Sequence, residues 1–458
     1  MKQVLAIARL TFWEGIRMRI VLVFLIVLGF VVLRLPFALR GDETLAGRLQ
    51  TFLSYSLTAL GVFMSLATIF FSCATLSEEI RTRTLHMVVT KPISRFQILL
   101  GKWIGVNGLN LLICVMSGSV IYGLAYYVKS QPELFSRDRV KIDEVVWTSR
   151  LAAPPTSPDF NAQAEKQITE REQAGEAFLR GRRVEVESLE RELREAWRQV
   201  EPGTTAIYTF ADLPPPATEQ ERFQVRFRLR ALPFAEFAPV TWGIVDAHTG
   251  ELLDFLPTRE RPEEIHQFLV RAENWVKDGK AALAVNAPFD ERYPLTLYFE
   301  GDESLQILYR VGSFEVNFTK VMLLILFRLA FLSALGVFFG TFVSFPVACF
   351  CVLSVFLFCL GTPFWLESIG ANMGLVDPNV DPYGALGPFV RALLVPVLKI
   401  TLPNFIRYDG ISALIDGYYI DWRLLGAGAL HTLGYGVALL LLPGWLIFRS
   451  REVAEVVV

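Results

Sequence analysis

Charge is scarce in this chain. Of its 458 residues only 20% are Asp, Glu, Lys or Arg, against 53% hydrophobic. A soluble domain carries more of the first and less of the second. The windows 49–77, 103–128, 329–366 and 424–448 hold no charged residue at all. Histidine is rarer still, with four in the whole chain, and cysteine numbers five. All five (Cys73, Cys114, Cys349, Cys351 and Cys359) fall in or at the ends of apolar segments. The polar stretch 129–315 has none, so it needs no disulfide and holds no thiolate metal site. Cys349 and Cys351 are two apart, and on a helix that spacing points them to different faces, which makes them small apolar residues rather than a ligand pair. His248 and His266 have no spaced carboxylate cluster, so no metal site is expected. No Ser/His/Asp spacing stands out, and no basic domain stands apart from the apolar segments. A soluble enzyme, a disordered chain and a nucleic-acid binder are thereby disfavoured.

What is present divides into two materials. Residues 129–315 carry a net charge of −9, and the rest of the chain carries +7. A bilayer core of about 30 Å takes about 20 helical residues. The windows 49–77, 103–128 and 424–448 each supply one span. The window 329–366 is too long for one, and Pro346 divides it into spans near 318–342 and 346–363. A further span runs from Ile20 past Leu33, with Arg34 snorkelling to the interface. It is read as an uncleaved helix, because Val31–Leu39 offers no small-x-small cleavage site. Six spans result. Lys2, Arg9, Arg17 and Arg19 precede the first. Arg81, Arg83, Lys91, Arg95 and Lys102 lie between the second and third, and Arg449 and Arg451 follow the sixth. All three clusters fall on one side, which the positive-inside rule assigns to the cytoplasm. The expected order is an interfacial helix and three spans over 1–128, with a cytoplasmic loop at 77–97. An extracytoplasmic domain follows over 129–315, then three spans over 316–458. Both termini are expected in the cytoplasm, with the chain in the plasma (inner) membrane.

The cytoplasmic loop is the most informative stretch. Glu78, Glu79, Arg81 and Arg83 follow the second span, and a helix carrying Ile80, Leu85, Val88 and Val89 can follow. Lys91-Pro92 breaks it. Ser94 then N-caps the next helix, with Gln97 completing a capping box and Ile93 and Ile98 placed as a hydrophobic staple. An ordered turn explains the caps. So many charges beside apolar residues suggest a docking surface.

These residues resemble the loop of ATP-binding-cassette (ABC) permeases of the type-2 exporter class, in the branch labelled multicopper-enzyme-maturation permeases. The resemblance rests on the acidic pair Glu78-Glu79, on Arg83-Thr84-Leu85, on Thr90–Arg95 and on Leu100-Gly101-Lys102. The opening Ala8–Glu14, the region from Phe405 to the last span and the closing Phe448–Glu452 are similar too. It covers about three-fifths of the chain and leaves out 129–315, a larger insertion than is common in the family. By that resemblance the loop is a coupling helix seated on a separate cytoplasmic ATPase, which would bind ATP and Mg. Glu78, Glu79, Arg81, Arg83, Thr84, Leu85, Lys91, Pro92, Ser94 and Arg95 would serve the coupling. This chain has no cofactor or ATPase motif of its own. Gly101-Lys102 ends a Walker-like run, but position 96 is Phe, so the spacing fails, and the lysine is expected at the membrane boundary.

Within 129–315, residues 162–200 read as one helix, with Val186, Leu189, Leu193, Ala196 and Val200 forming a narrow seam. Beyond it the period falls to two. Phe223, Val225, Phe227 and Leu229 alternate with polar residues, and so do Leu295, Leu297 and Phe299. Gly301–Ser304 turns the chain into Leu305, Ile307 and Tyr309. Thr249-Gly250 marks a hairpin between Ile244-Val245 and Leu252-Leu253. A β-rich, sandwich-like domain with a helical part follows. The Arg226, Arg228, Arg230 row reads as solvated strand face in preference to an anion site. Glu263-Glu264 after Pro262 reads as a helix start. Residues 363–423 resemble the re-entrant or interfacial outer helices of type-2 exporters, with apolar Phe389, Leu393, Val397 and Ile400 and basic Arg391 and Lys399. Arg328 and His431 are intramembrane polar residues. A lipid-facing arginine costs about 2.5–3.5 kcal/mol on insertion scales; snorkelling or a structural pair, with His431 hydrogen-bonded to a neighbouring helix, accounts for them as well as lining a path does. The functional expectation is a membrane subunit working with a second permease subunit and two ATPases, without catalysis of its own. The alternative is a membrane-anchored mechanotransmitter or sensor that translocates nothing.

Overall fold

The computed structural model describes residues 2–38, 44–84, 93–131, 141–175, 181–216, 218, 220–273, 275–289, 294–301, 303–364 and 402–450. Its helices are α1 (Lys2–Arg17), α2 (Arg19–Ala38), α3 (Leu45–Arg81), α4 (Arg95–Lys129), α5 (Phe160–Gln173), α6 (Arg182–Trp197), α7 (Phe314–Gly340), α8 (Phe345–Leu360), α9 (Ile411–Ile415), α10 (Trp422–Ala429) and α11 (Val437–Ser450). A π-helical turn, Leu430–Gly436, joins α10 to α11. The strands are β1 (Ser149–Ala153), β2 (Gln199–Val200), β3 (Thr205–Phe210), β4 (Arg222–Arg228), β5 (Arg230–Leu232), β6 (Ala238–Val245), β7 (Leu252–Glu260), β8 (Ile265–Arg271), β9 (Ala281–Asn286), β10 (Thr296–Tyr298) and β11 (Leu305–Gly312). The chain divides into two compact units, Met1–Ser149 with Gly312–Val458, and Arg150–Val311.

The first unit is helical. Among the described residues, five helices are long and apolar enough to cross a membrane: Arg19–Pro36, Leu45–Arg81, Arg95–Lys129, Phe314–Gly340 and Trp422–Ser450. The apolar α8 is shorter, at 16 residues. Pro346 stands in its first turn, after the turn that follows α7, where its missing N–H costs nothing. α3 and α4 have 37 and 35 residues. At 1.5 Å per residue each exceeds 50 Å, roughly, so their ends project beyond a hydrocarbon core of about 30 Å.

In lipid, burying apolar surface between helices gains little, so small residues that let backbones approach set the contacts. Gly336 of α7 meets α3 where an added Cβ would lie 1.8 Å from Ser72 Oγ. On α4, Gly101 and Gly105 share a face four residues apart. Cβ atoms there would lie 2.8 Å from Ile7 Cβ and 2.5 Å from the Ala8 carbonyl oxygen. α1 therefore lies on α4, burying Ile7, Ala8, Thr11 and Gly15. Leu5, Leu10 and Trp13 stay exposed, the two-sided pattern of an interfacial helix.

Residues 405–420 run along α7, where side chains satisfy their backbone groups. The Phe405 ring sits 5.9 Å from Phe331 and 6.0 Å from Phe356. Nearer the start of α7, Asn317 Nδ2 donates to the Tyr418 carbonyl at 2.6 Å and its Oδ1 accepts from the Ile420 N–H at 3.2 Å. Lys320 Nζ donates to the Ile420 carbonyl at 2.7 Å and lies over the Tyr419 and Trp422 rings at 4.0 and 4.3 Å. Gln50 of α3 donates to the Ile415 carbonyl. Phe331 and Asn317 are 14 residues apart on one helix, so this segment climbs about 21 Å of its axis. Phe389, Arg391, Leu393, Val397, Lys399 and Ile400 lie outside the described residues.

The second unit is β-rich. Its sheets have the orders β1-β11-β4-β8, β2-β10-β5 and β3-β9-β6-β7. One core joins them, with Phe223, Val225 and Phe227 from β4, Trp242 from β6, Leu283 from β9, Leu297 from β10 and Ile307 from β11. The β6–β7 hairpin forms at Thr249-Gly250 as the spacing predicts, with Gly250 at φ 72°. Three local readings are corrected. The 162–200 helix is two helices: α5 stops at Gln173, before Gly175 at φ 86°. α6 carries the seam, and Val186, Leu189 and Leu193 pack on Ala164 and Ile168 of α5. Val200 belongs to β2 instead. The turn at Gly301–Ser304 does not make a hairpin, since β10 pairs with β2 and β5 while β11 pairs with β4. Glu263-Glu264 sits in the β7–β8 turn, with Glu263 at φ 70°, rather than starting a helix. The basic row is also broken up: Arg230 pairs with Glu263 at 2.8 Å and with Glu300 at 3.3 Å.

Asp246 closes the β6–β7 turn. Its Oδ1 accepts from the His248 and Thr249 N–H groups at 2.9 and 3.3 Å, and Lys277 pairs with its Oδ2. The Lys277 hydrogen bond, then the His248 N–H, hold its pKa down to about 2 from an ordinary 3.8. A depressed carboxyl pKa contributes stability above the unfolded value that is lost as pH falls through the folded one. We therefore expect fragment 150–311 to melt cooperatively, insensitive to reductant. Asp246→Asn should lower its melting temperature at neutral pH, and the gap to wild type should close between about pH 4 and about pH 2. A gap independent of pH would show that the turn geometry, and not the charge, carries the effect.

Candidate functional site

The candidate site is built from the ends of α3, α4 and α11, on the side the basic clusters mark. α3 continues without a break through Glu78, Glu79 and Arg81, so these residues lie on its last turn rather than in a loop beyond it. Thr82 Oγ1 donates to the Glu78 carbonyl at 2.8 Å, and Thr84 Oγ1 to the Glu79 carbonyl at 3.4 Å. Those bonds occupy carbonyls that a helix end leaves without partners. Arg83 then takes φ 59°, which ends the helix. Leu85, Lys91 and Pro92 lie outside the described residues. α4 starts with the expected box. Ser94 Oγ accepts from the Gln97 N–H at 3.3 Å, and Gln97 Oε1 accepts from the Ser94 N–H at 3.1 Å. Ile93 and Ile98 pack in one cluster.

The charged residues divide by the direction they face. Glu78 and Arg81 point outward, paired with each other by two hydrogen bonds and 46% and 72% exposed. Water screens a pair so exposed, and it adds little to stability. They border a cleft of about 440 Å³ whose far wall is Phe342–Pro346. Arg83 and Thr84 are exposed beside them. Glu79 points the other way. Its Oε1 meets Lys102 Nζ at 2.8 Å, the lysine being only 3% exposed and the glutamate 18%. Lys102 also donates to the Thr75 carbonyl at 2.7 Å. It is thus a buried tie between α3 and α4. Glu14 of α1 lies near both, and burial raises its pKa against the opposing pull of Lys102.

Arg95 is also turned inward. Its Nη1 donates to the Phe448 and Arg449 carbonyls, with its guanidinium 5.4 Å over the Phe448 ring. A cation on the last carbonyls of a helix favours the negative end of its dipole, so Arg95 clasps α11 to α4. Phe96 packs on Trp445 beside it. Of the residues read from sequence, Glu78, Arg81, Arg83 and Thr84 share the exposed face. Glu79 and Arg95 brace it from behind, and Ser94 caps it. Lys102 is the partner of Glu79 that sequence reasoning did not identify. A lysine seven residues into a capped apolar helix is a signal that it needs a partner, though not of which one.

Arg328 and His431 lie apart from this face. Arg328 is half-buried. A Cβ at Gly61 would lie 2.3 Å from its Nη2, and its Nε has no hydrogen bond among the described residues. It borders a cavity of about 10 Å³ with Tyr408, Asp409 and Thr432, room for one water-sized group. The Asp409 carboxylate opposes its charge. Arg328 thus faces the inside of the bundle, where such residues find partners. His431 sits on the π-helical turn, with Nδ1 3.2 Å from Tyr408 Oη. No group of three or more His, Cys, Asp or Glu positioned for a metal occurs among the described residues. Both histidines of the β-rich unit are engaged, His266 with Glu260 and the Arg261 carbonyl, His248 with Asp278. Compared with known proteins, the chain matches no family model and no curated protein.

Proposed function

We propose that this chain is the membrane-spanning permease subunit of an ABC transporter of the type-2 exporter class. It works with a second permease subunit and a separate cytoplasmic ATPase that binds ATP and Mg, and it exports or extracts a substrate. The observation that carries the reading is the braced face at the ends of α3 and α4. Glu78, Arg81, Arg83 and Thr84 are presented outward, while Lys102–Glu79 and Arg95 fix the helices behind them. Force applied to a face held this way moves helices, whereas a floppy linker would absorb it. α8 is the sixth span. Its 16 residues reach about 24 Å, a thickness that local bilayer thinning accommodates. The chain lies in the plasma (inner) membrane with both termini cytoplasmic, and Arg150–Val311 and the 402–421 segment face outward. A mechanotransmitter is the second reading. It is favoured by the size of the unit Arg150–Val311, and it requires the same ATPase.

Two experiments test the proposal. Single cysteines placed at Ser188 and Asp416 should react with an impermeant thiol reagent from outside intact cells, and one at Arg83 only after permeabilisation. Labelling of Arg83 from outside would reverse the orientation. The detergent-solubilised complex should carry an ATPase subunit, and purification without one would leave the coupling role without a partner.

A further inference from the structure

Between α4 and α7 runs a groove of about 510 Å³. Its walls are Gly118 and Ser119 of α4 against Phe318, Met322 and Leu326 of α7. At the end nearer the start of α7 the groove closes on one charged group, Glu315, and on Tyr122. Tyr122 Oη and Trp147 Nε1 both donate to Glu315 Oε1, at 3.3 and 3.2 Å, and the carboxylate stays exposed. The Trp147 ring stacks on Phe314 at 4.1 Å, and Tyr122 lies 5.8 Å from Phe318. Lys129 Nζ lies 4.7 Å over the face of the same indole, sharing its charge with Asp143. A carboxylate at the edge of Trp147 and an ammonium on its face therefore stand one ring apart.

Each part of this arrangement selects a feature of the occupant. The apolar channel from Glu315 to Leu326 follows about 16 Å of helix axis, and its walls offer hydrocarbon to an acyl chain. A carboxylate among aromatic rings at one end recognises an ammonium, by charge and by the ring quadrupoles. Aromatic side chains with a polar handle also suit the membrane–water boundary, which puts the charged end at headgroup level and the channel in the hydrocarbon. Gly118 keeps the floor open, since a Cβ there would already press on Met322 Cε at 2.9 Å.

We propose that this groove binds one acyl chain of a phospholipid whose ammonium headgroup rests on Glu315. The proposal needs only that the helices cross a bilayer, and it stands whether or not an ATPase drives the chain. The test uses the full-length protein, solubilised from mixtures of phosphatidylethanolamine and phosphatidylglycerol with identical acyl chains. Retained lipid is counted by native mass spectrometry. Wild type should retain the ethanolamine lipid about five-fold over the glycerol lipid, the scale of one ammonium–aromatic contact. Glu315→Gln should erase that preference while still retaining lipid. Gly118→Leu, which pushes Met322 into the channel, should lose both lipids at an unchanged melting temperature. Ser119→Phe fills the same channel from the other wall and should do likewise if Gly118→Leu fails to fold. Equal retention of the two lipids by wild type would overturn the proposal, and so would a headgroup preference that survives Glu315→Gln. Efficient crosslinking of Ser119→Cys between two copies in native membranes would show the groove covered by protein, and would overturn it as well.

Discussion

Lys102→Ala is expected to destabilise the protein by about 3–5 kcal/mol, the cost of leaving a buried charge without its partner. Lys102 is 3% exposed and makes both the Glu79 ion pair and the Thr75 hydrogen bond. Its loss strands a carboxylate whose second oxygen, Oε2, already has no hydrogen bond among the described residues. Arg81→Ala removes an ion pair of the same chemistry two residues away. It should cost far less, because water screens that pair. Replacing both buried partners together, as Lys102→Met with Glu79→Leu, should recover most of the loss, since an apolar pair of similar volume avoids the desolvation cost. Thermal unfolding in detergent, read for all four proteins, checks the order. Equal shifts for Lys102→Ala and Arg81→Ala would mean that the α3–α4 tie is solvated. Charge reversal at Glu79 would set two cations against each other in the interior and cause loss of fold. Tests of docking therefore belong at Glu78, Arg81 and Arg83.

Gly336→Val should do comparable damage through packing. The added Cβ would lie 1.8 Å from Ser72 Oγ, 2.6 Å from Ser72 Cβ and 3.0 Å from the Cys73 backbone nitrogen. The last of these is backbone and cannot swing aside. α7 must then separate from α3, at a cost above the roughly 1–3 kcal/mol of ordinary overpacking. Gly336→Ala should be milder, and Ser72→Gly should partly rescue it by removing the two side-chain atoms in the way. Gly29→Ala is the control: nothing lies within 4 Å of the Cβ it would add, so helix propensity alone should make it neutral or slightly stabilising. Yield and melting temperature of the four variants provide the check. A Gly336→Val protein that melts like wild type would contradict the close approach of the two helices.

The two interactions differ in how far sequence could reveal them. The capping box at Ser94 and Gln97 was legible because it depends on residues three apart on one chain. The β6–β7 hairpin was legible for the same reason, since Thr249-Gly250 sits between two apolar pairs. Pro346 could be placed because its ring forbids most alternatives. Pairing across distance was not legible. Nothing near Lys102 says that it turns toward Glu79 of another helix, or that Arg95 reaches the carbonyls of Phe448 and Arg449. Alternation at Leu295–Phe299 and Leu305–Tyr309 identified strands, but it could not say that they join different sheets. The 162–200 stretch kept a helical pattern while the chain broke near Gly175. Glycine at positive φ ends a helix without disturbing the periodicity on either side. In the site, residue types pointed to a charged face, and only the fold separates Glu78 from its neighbour Glu79.

The permease reading meets its most direct test in ATP turnover, in nanodiscs, by this chain purified with whatever ATPase accompanies it. Glu78→Arg and Arg83→Glu should each lower ATPase binding or stimulated turnover by roughly tenfold while the membrane protein keeps its melting temperature, because a reversed charge at a docked contact turns attraction into repulsion. The swap Glu78→Arg with Arg81→Glu keeps the local pair and should fail in the same way. Turnover and binding like wild type in all three would contradict the account, leaving these helix ends as an ordered turn that docks nothing.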